Sequence, residues 1–449
     1  MEVKMKKALL AGLGILLTAA IFVSCGGNKS KSGSESGTLT LMNFAQPAEK
    51  EILDQVLQRY RQSHPDIKVE MITTTQDQYG AKLQALMAAN QLPDVFYMGP
   101  ESVRQYVDGG KVLALDDYVY GVEGVDVNDL YPAALEDYRY DGTILGKGKL
   151  YALPKDFGPA ALAYNKTLFD KYNIPLPSPT EPYTWEEFID VCKLLTRDET
   201  FGTGFNINWC LPAFVWGNGA DWIDSTGTKV TVSDPKFVEA LQFFADQTNV
   251  YKVTPSASQA ASLDTYQRWL KGELGFFLCG SWDVATFNET LPFEYDLIPW
   301  PVHHKGDKTA TYRGGVGYAV SARTKSPKAA AELALYLSAD KESNQMYIEK
   351  DLQLPNLQSL ASLYTSKDVA PKNRQEFLNI ISTSGRPWPY NNTYNRVWYD
   401  DFFLSIAKVL DGDMTAEEYC KTVEPKMQKN LDKALQRAAD SSKKNSKKK

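Results

Sequence analysis

The residues able to do acid–base, nucleophilic or metal chemistry are few and badly spaced for it. His303 and His304 are adjacent, so they cannot clasp one ion as histidines four apart on a helix do, and no carboxylate cluster stands beside them. The pairs Asp116-Asp117 and Glu186-Glu187 bring to mind glycoside hydrolysis, but that reaction needs two carboxyls facing each other across a sugar, which adjacency does not provide. Cys192, Cys210, Cys279 and Cys420 fit no CxxC metal or redox motif, and their spacing leaves pairing open. What the chain has in quantity is aromatic: 25 Tyr, 19 Phe and 9 Trp. Large domains use such residues as core, and ligand sites use them as flat apolar faces with polar tips. Two loop-like stretches concentrate them. "NINWCLPAFVWGNGADW" (206–222) carries Trp209, Trp216, Asn218 and Asp221, and "SGRPWPYNN" (384–392) sets Arg386, Trp388 and Tyr390 among prolines.

The elements that must position these residues follow from hydrophobic period. Leu39 and Leu41 alternate with threonines, a strand pattern, and Ile52, Leu53, Val56, Leu57 and Tyr60 share one helical face that Pro65 ends. "IKVEMIT" (67–73) alternates again, "YGAKLQALMAANQ" is helical, and "PDVFYMG" is a short apolar strand. The first hundred residues therefore read β-α-β-α-β, which implies a parallel α/β sheet with right-handed crossovers. Ligands of such sheets bind beyond the carboxyl ends of the strands, which points to Asn43, Phe44, Tyr97, Met98 and Gly99. Further on, Thr184 with Glu187 forms a capping box, Asp234 caps a helix that has Pro235 at its first position, and Thr415 with Glu418 opens the last helix. "KGELGFFLCGSWD" reads as a buried strand ending in glycine, and "YRGGVGYAVSARTKSPKAAAELALYLS" as a strand followed by an alanine-rich helix.

The 449 residues are 43% hydrophobic and carry a net charge of −6, enough chain for two cores and the wrong charge for a general nucleic-acid binder. Lys4, Lys6 and Lys7 precede an uncharged run from Ala8 to Val23, which reads as an export signal. That run is shorter than the roughly 20 apolar residues a membrane span needs, and no later run is as long. Ser24-Cys25-Gly26 resembles the lipobox of bacterial lipoproteins, with Phe22 where that motif usually has Leu; the resemblance implies acylation of Cys25. Stable anchoring takes more than one acyl chain, which a multiply acylated cysteine supplies. Residues 28–37 lack any apolar side chain and read as a tether, and "SSKKNSKKK" reads as a basic, unstructured tail.

Seven ordered segments carry a family likeness: Tyr60 to Glu70, "QLPDVFYM" (91–98), "LYALPKDFGPAALAYNKTLFDKYNIP" (150–175), "TWEEF" (184–188), "GELGFFLCGSWD" (272–283), "RGGVGYAVSARTKSPKAAAEL" (313–333) and "GDMTAEEY" (412–419). Together they resemble the extracellular solute-binding lipoproteins of bacterial ABC importers, in the carbohydrate-binding group that includes maltose-binding protein. The resemblance covers nearly the whole chain after the tether. It implies an α/β, two-lobed fold of the periplasmic-binding-protein type II class, a mixed sheet flanked by helices in each lobe, and ligand in the cleft between them. It assigns 1–24 to the signal, 25–37 to the lipidated tether, 38–154 with 280–317 to the first lobe, 155–279 with 318–438 to the second, and 439–449 to the tail.

The same resemblance implies the site. Trp282 matches a position where the family places a stacking tryptophan, and Gly280 and Gly315 let backbone approach a ligand. Arg313, beside Gly314, either donates a forked pair to hydroxyls or braces the hinge; Asp156 accepts from a hydroxyl or lies on the surface. Trp209, Trp216, Asn218 and Asp221 are candidates from one lobe, and Arg386, Trp388 and Tyr390 from a stiff loop at the cleft edge. A monomeric, lipid-anchored receptor in the cell envelope outside the cytoplasm is implied, with a carbohydrate ligand, an ABC permease as partner, and no enzyme activity, cofactor, metal or nucleic acid. A non-sugar solute such as a polyol phosphate, a peptide or an amino-acid derivative remains open, since Lys155, Arg313 and Arg386 are available to an anion. A surface carbohydrate-active enzyme is a third alternative.

Overall fold

Residues 37–122 and 125–446 are described in the computed structural model. The signal segment, Cys25 and the tether up to Ser36 lie outside the described residues. The strands, in order, are β1 (Gly37–Asn43), β2 (Ile67–Thr73), β3 (Val95–Met98), β4 (Arg139–Tyr140), β5 (Lys149–Leu150), β6 (Ala152–Asn165), β7 (Phe201–Thr203), β8 (Leu274–Gly280), β9 (Tyr295–Ile298), β10 (Thr311–Val320) and β11 (Gly385–Arg386). The expected opening forms as read. β1 pairs in parallel with β2 (Leu39 opposite Val69) and with β3 (Leu41 opposite Val95). The helix Pro47–Ser63 buries Ile52, Leu53, Val56, Leu57 and Tyr60.

The sheet then runs β2-β1-β3-β10-β6-β8-β7, with β9 also paired to β6. β6 is the pivot of this order. Its first part, Ala152–Pro159, pairs antiparallel with β10, whereas Ala160–Tyr164 pair with β8 and Leu162–Asn165 with β9. β10 in turn reaches β3 through Gly317–Val320. One 14-residue strand therefore belongs to both halves of the molecule. Pro154 and Pro159 have no N–H to give the ladder, and a bulge falls between Val316 and Gly317. Carbonyls of this stretch take other donors: Ser338 Oγ (2.6 Å) and Asn356 Nδ2 (3.1 Å) bond Pro154 O, and Asn356 Nδ2 also bonds Lys155 O at 2.9 Å.

Two apolar clusters result. The first gathers β1–β3 and their helices with Tyr318–Val320, the helix Pro327–Ala339 and Phe377–Ile381. The second gathers the helices Trp185–Leu195, Ile207–Gly217 and Pro235–Asn249 with Trp300, Val302 and residues from Tyr390 to Leu431. The second half of the sheet is covered on both faces: Ala161 and Ala163 pack with the first cluster, and Leu162 and Tyr164 with the second. This packing divides the chain differently from the expected lobes. Trp300, Val302 and Ala310, expected in the first lobe, are buried in the second cluster, while Tyr318 to Ile381, expected in the second, pack in the first. The reason is the path of β10, which enters from β6 and β11 and leaves beside β3.

The capping box at Thr184 and Glu187 and the cap at Asp234 are present as read, and Thr415 accepts from Glu418 N–H. The last helix, Ala416–Ser446, continues through most of the segment expected to be an unstructured tail. Alanines and lysines are good helix formers, and cations favour a helix C-terminus. Cys192, Cys210, Cys279 and Cys420 are buried free thiols. No described helix is long and apolar enough to cross a membrane.

The β6–β10 contact generates a stability prediction. A Cβ on Gly315 would run into the Asp156 carbonyl oxygen, a backbone atom that cannot swing aside. Gly315→Ala is expected to destabilise the protein by about 1–3 kcal/mol, read as a lower urea midpoint; an unchanged midpoint would mean the strands lie further apart.

Candidate ligand-binding site

The site is built where β6, β8 and β10 meet. β8 ends at Gly280 and turns at once through Ser281–Asp283. Two bonds hold this turn: Asp283 Oδ2 accepts from Gly280 N–H at 3.0 Å, and Ser281 Oγ donates to Phe157 O at 3.1 Å. The turn lays the Trp282 indole across two glycines. A Cβ on Gly280 would overlap the indole, and one on Gly158 would sit 3.0 Å from it. Glycine at 280 is thus needed for the ring to lie flat, glycine at 158 gives it close room, and Trp282 remains 48% exposed.

Trp209 faces it. Asn206 caps the helix Ile207–Gly217 through Asn208 N–H, and Trp209 stands on its first turn, 38% exposed, with its ring 5.8 Å from Trp282. Behind Trp209 lie Tyr312 at 5.4 Å and Trp388 at 5.6 Å, both edge-on, and these two stack on each other at 4.4 Å. The Tyr312 hydroxyl lies over Gly314, and burial pushes the phenol well up, so it is a neutral hydrogen-bond donor. Trp216 and Tyr390 flank Trp388 at 6.5 and 6.0 Å. Asp221 fixes this corner: it accepts from Trp216 Nε1 at 3.1 Å and pairs with Arg386 at 2.6 Å, whose guanidinium lies 5.2 Å over the Trp216 ring. Residues up to 179 positions apart, from Trp209 to Trp388, so form one aromatic wall with a charged corner.

The polar groups divide into two kinds. Arg313 is a brace: it is buried, forks onto Asp137 at 2.6 and 3.1 Å and also bonds Ala133 O at 3.0 Å. Burial pushes the Asp137 carboxyl up to about 6 against the pull of that guanidinium. Asp156 receives Val316 N–H at 3.0 Å and Lys155 at 2.5 Å, and Lys155 is also held by Glu49 at 2.7 Å. Glu101 is of the other kind. It follows β3 in the helix Pro100–Asp108, is open to solvent, and folds its carboxyl back over Gly99.

Several sequence candidates are not brought to the wall. Asn43 is fully buried and accepts from Ala45 N–H at 3.2 Å. Phe44 packs edge-on against Tyr79 and Tyr97, and buried Tyr97 donates to Glu49 at 3.3 Å. Met98 is core. Asn218 turns away into a network with Lys236 O (2.8 Å), Glu239 (2.9 Å) and His303 (3.0 Å). His303 stacks on Trp185 and on His304, and no group of three or more His, Cys, Asp or Glu able to hold a metal occurs among the described residues. Gly315 serves strand approach, as described above. Sequence reasoning missed Gly158 and Tyr312, which lie under and behind the two exposed indoles.

A sheet shared by two cores, with an aromatic wall at the crossing strands, defines a two-lobed solute-binding protein of the maltose-binding type. The profile of the family described as bacterial extracellular solute-binding protein matches residues 45–343, and the chain belongs to that family. It is 23% identical over 365 residues to the melibiose/raffinose/stachyose-binding protein MelE of Bacillus subtilis, covering 76% of this chain and 79% of that one. It is 24% identical over 379 residues to the diacetylchitobiose-binding protein DasA of Streptomyces coelicolor, covering 80% and 84%. Among solved structures, an ABC substrate-binding protein of Listeria monocytogenes in complex with cycloalternan superposes with a TM-score of 0.75 at 25% identity, covering 88% of this chain and 99% of that one.

The turn beneath Trp282 generates a pH prediction. Burial pushes the Asp283 carboxyl up to about 7 from 3.8. A carboxyl raised in the folded state adds stability while protonated, and that contribution is lost as pH climbs from about 4 through about 7. Asp283→Asn keeps an acceptor for Gly280 N–H and removes the titration. Its melting temperature relative to the parent is expected to rise between pH values of about 5 and about 8, by calorimetry; a flat difference across that range would reject the assignment.

Proposed function

We propose that this protein is the extracytoplasmic receptor of an ABC importer, binding a sugar or oligosaccharide against the wall formed by Trp282, Trp209, Tyr312 and Trp388. The observation carrying this reading is the pair of half-exposed indoles, Trp282 and Trp209, set 5.8 Å apart and backed by Tyr312 and Trp388. A sugar ring has apolar C–H faces and hydroxyl edges, so a site for it needs both an aromatic face and oriented hydrogen-bonding groups. Asp221 with Arg386, beside the Trp216 ring, is the ion pair at the corner of the wall that offers charged groups to hydroxyls. The sugars named for MelE, DasA and the Listeria protein support the ligand class.

Binding closes the lobes about the β6 and β10 crossing. A ligand that touches both lobes only when they are closed shifts the population by its differential affinity for that state. The permease then meets the closed, loaded form. The protein acts as a monomeric binder rather than an enzyme, held to the envelope membrane by acyl chains on Cys25 with 26–37 as tether.

Titration calorimetry against a panel of di- and oligosaccharides tests the ligand class. Trp282→Ala is expected to weaken binding of any sugar found by about tenfold or more, with the melting temperature little changed. No binding to any carbohydrate would sink the reading. For the anchor, intact mass of the native protein is expected to show acyl chains, and Cys25→Ser to move the protein from the membrane fraction to the soluble one.

A further inference from the structure

The two halves of the molecule also touch away from their shared sheet. The helix Pro100–Asp108 starts one residue past the carboxyl end of β3, and its Val103 and Tyr106 are buried in the first apolar cluster. Leu145, in the loop between β4 and β5, packs against that cluster too. The turn Pro389–Asn392 belongs to the other half: Tyr390 is buried in the second cluster, and Trp388 of the aromatic wall precedes the turn directly. Asn392 reaches across with both of its oxygens. Its backbone carbonyl accepts from Arg104 Nη1 at 2.6 Å, and its side-chain oxygen accepts from Leu145 N–H at 3.3 Å. The last helix, Ala416–Ser446, packs against the same helix Pro100–Asp108.

The place of this contact gives it leverage. Ligands of such sheets bind beyond the carboxyl ends of the strands, so the helix that follows β3 starts on the cleft side. Asn392 stands four residues after Trp388 of the wall. The contact therefore spans the rim of the cleft, whereas β6 and β10 form the pivot. A rotation about that pivot breaks it and leaves both cores intact. Asn392 is exposed and Arg104 half-buried, so each meets water when the lobes part. A charge-assisted bond to a carbonyl, open in part to solvent, biases such an equilibrium without locking it. Neither bond uses a ligand atom, so the closed form gains from both whether the cleft is empty or filled.

We propose that Arg104 and Asn392 are positioning residues: they form a latch across the cleft rim that draws the ligand-free protein toward its closed form and slows release of bound sugar. The second half of this statement rests on the carbohydrate reading above; the first does not. Where the closed form is the one that binds tightly, apparent affinity falls in proportion to the fraction closed.

The test is small-angle X-ray scattering of the dialysed, sugar-free protein and its variants, with melting temperatures to confirm folding. Arg104→Ala is expected to have a larger radius of gyration than the parent. Arg104→Lys, which keeps a charged donor for one carbonyl, is expected to stay close to the parent. Asn392→Ala loses only the bond to Leu145 and is expected to fall between; it decides the matter if Arg104→Ala does not fold. With any sugar found by calorimetry, Arg104→Ala is expected to bind about threefold weaker or more, through faster dissociation in stopped-flow fluorescence. Equal radii of parent and variants overturn the latch, as does an expansion that Arg104→Lys fails to reverse. An expansion with unchanged sugar dissociation overturns the retention role. An expansion with no sugar bound by the parent overturns the carbohydrate reading and leaves the latch standing.

Discussion

The whole arrangement depends on one continuous strand. β6 pairs with β10 over its first half and with β8 and β9 over its second, so both halves of the molecule share a single hydrogen-bonded sheet. Backbone groups of a crossing strand cannot be left unpaired in a packed interior. Where the two prolines and the bulge interrupt the ladder, Ser338 and Asn356 take over its carbonyls, and Trp300 Nε1 and Thr311 Oγ1 both donate to Ala160 O at 2.9 and 2.8 Å. The crossing is therefore well satisfied yet irregular, and an irregular ladder is the natural place for two rigid halves to pivot.

The same irregularity makes room for the site. Glycines at 158, 280 and 314 remove side chains where the strands converge, and the space is taken by rings: Trp282 over the first two, the Tyr312 hydroxyl over the third. Each ring is supported from behind, Trp282 by the Asp283 cap and Tyr312 by its stack on Trp388. An aromatic held in one rotamer loses little entropy on binding, so the wall is pre-organised. Ion pairs do the equivalent for the polar groups. Arg313 with Asp137 locks the base of β10, and Arg386 with Asp221 locks the loop carrying Trp388.

Local signals settled the elements. The apolar stripe on Pro47–Ser63, the alternation in β1 and β2, and the side-chain caps at Thr184, Asp234 and Thr415 depend only on neighbours in sequence, so they were legible and formed as read. The family likeness also pointed to Trp282, Trp209 and Trp388 one at a time. The division between lobes was less legible, because Tyr318 to Ile381 join the first core only through the route of β10, a pairing between residues more than a hundred positions apart.

The sequence by itself thus determined the class of fold, the strands and helices, and the stock of aromatic and charged residues. Tertiary structure alone decided which of them meet. It gathered Trp209, Trp282, Tyr312 and Trp388 from four segments, turned Asn218 into a helix network, and left Asn43 and Tyr97 in the core. It also turned Arg313 from a candidate donor to ligand into a brace. Period and capping are read along the chain; ion pairing and ring contacts are set by distances across it, which spacing in sequence does not encode.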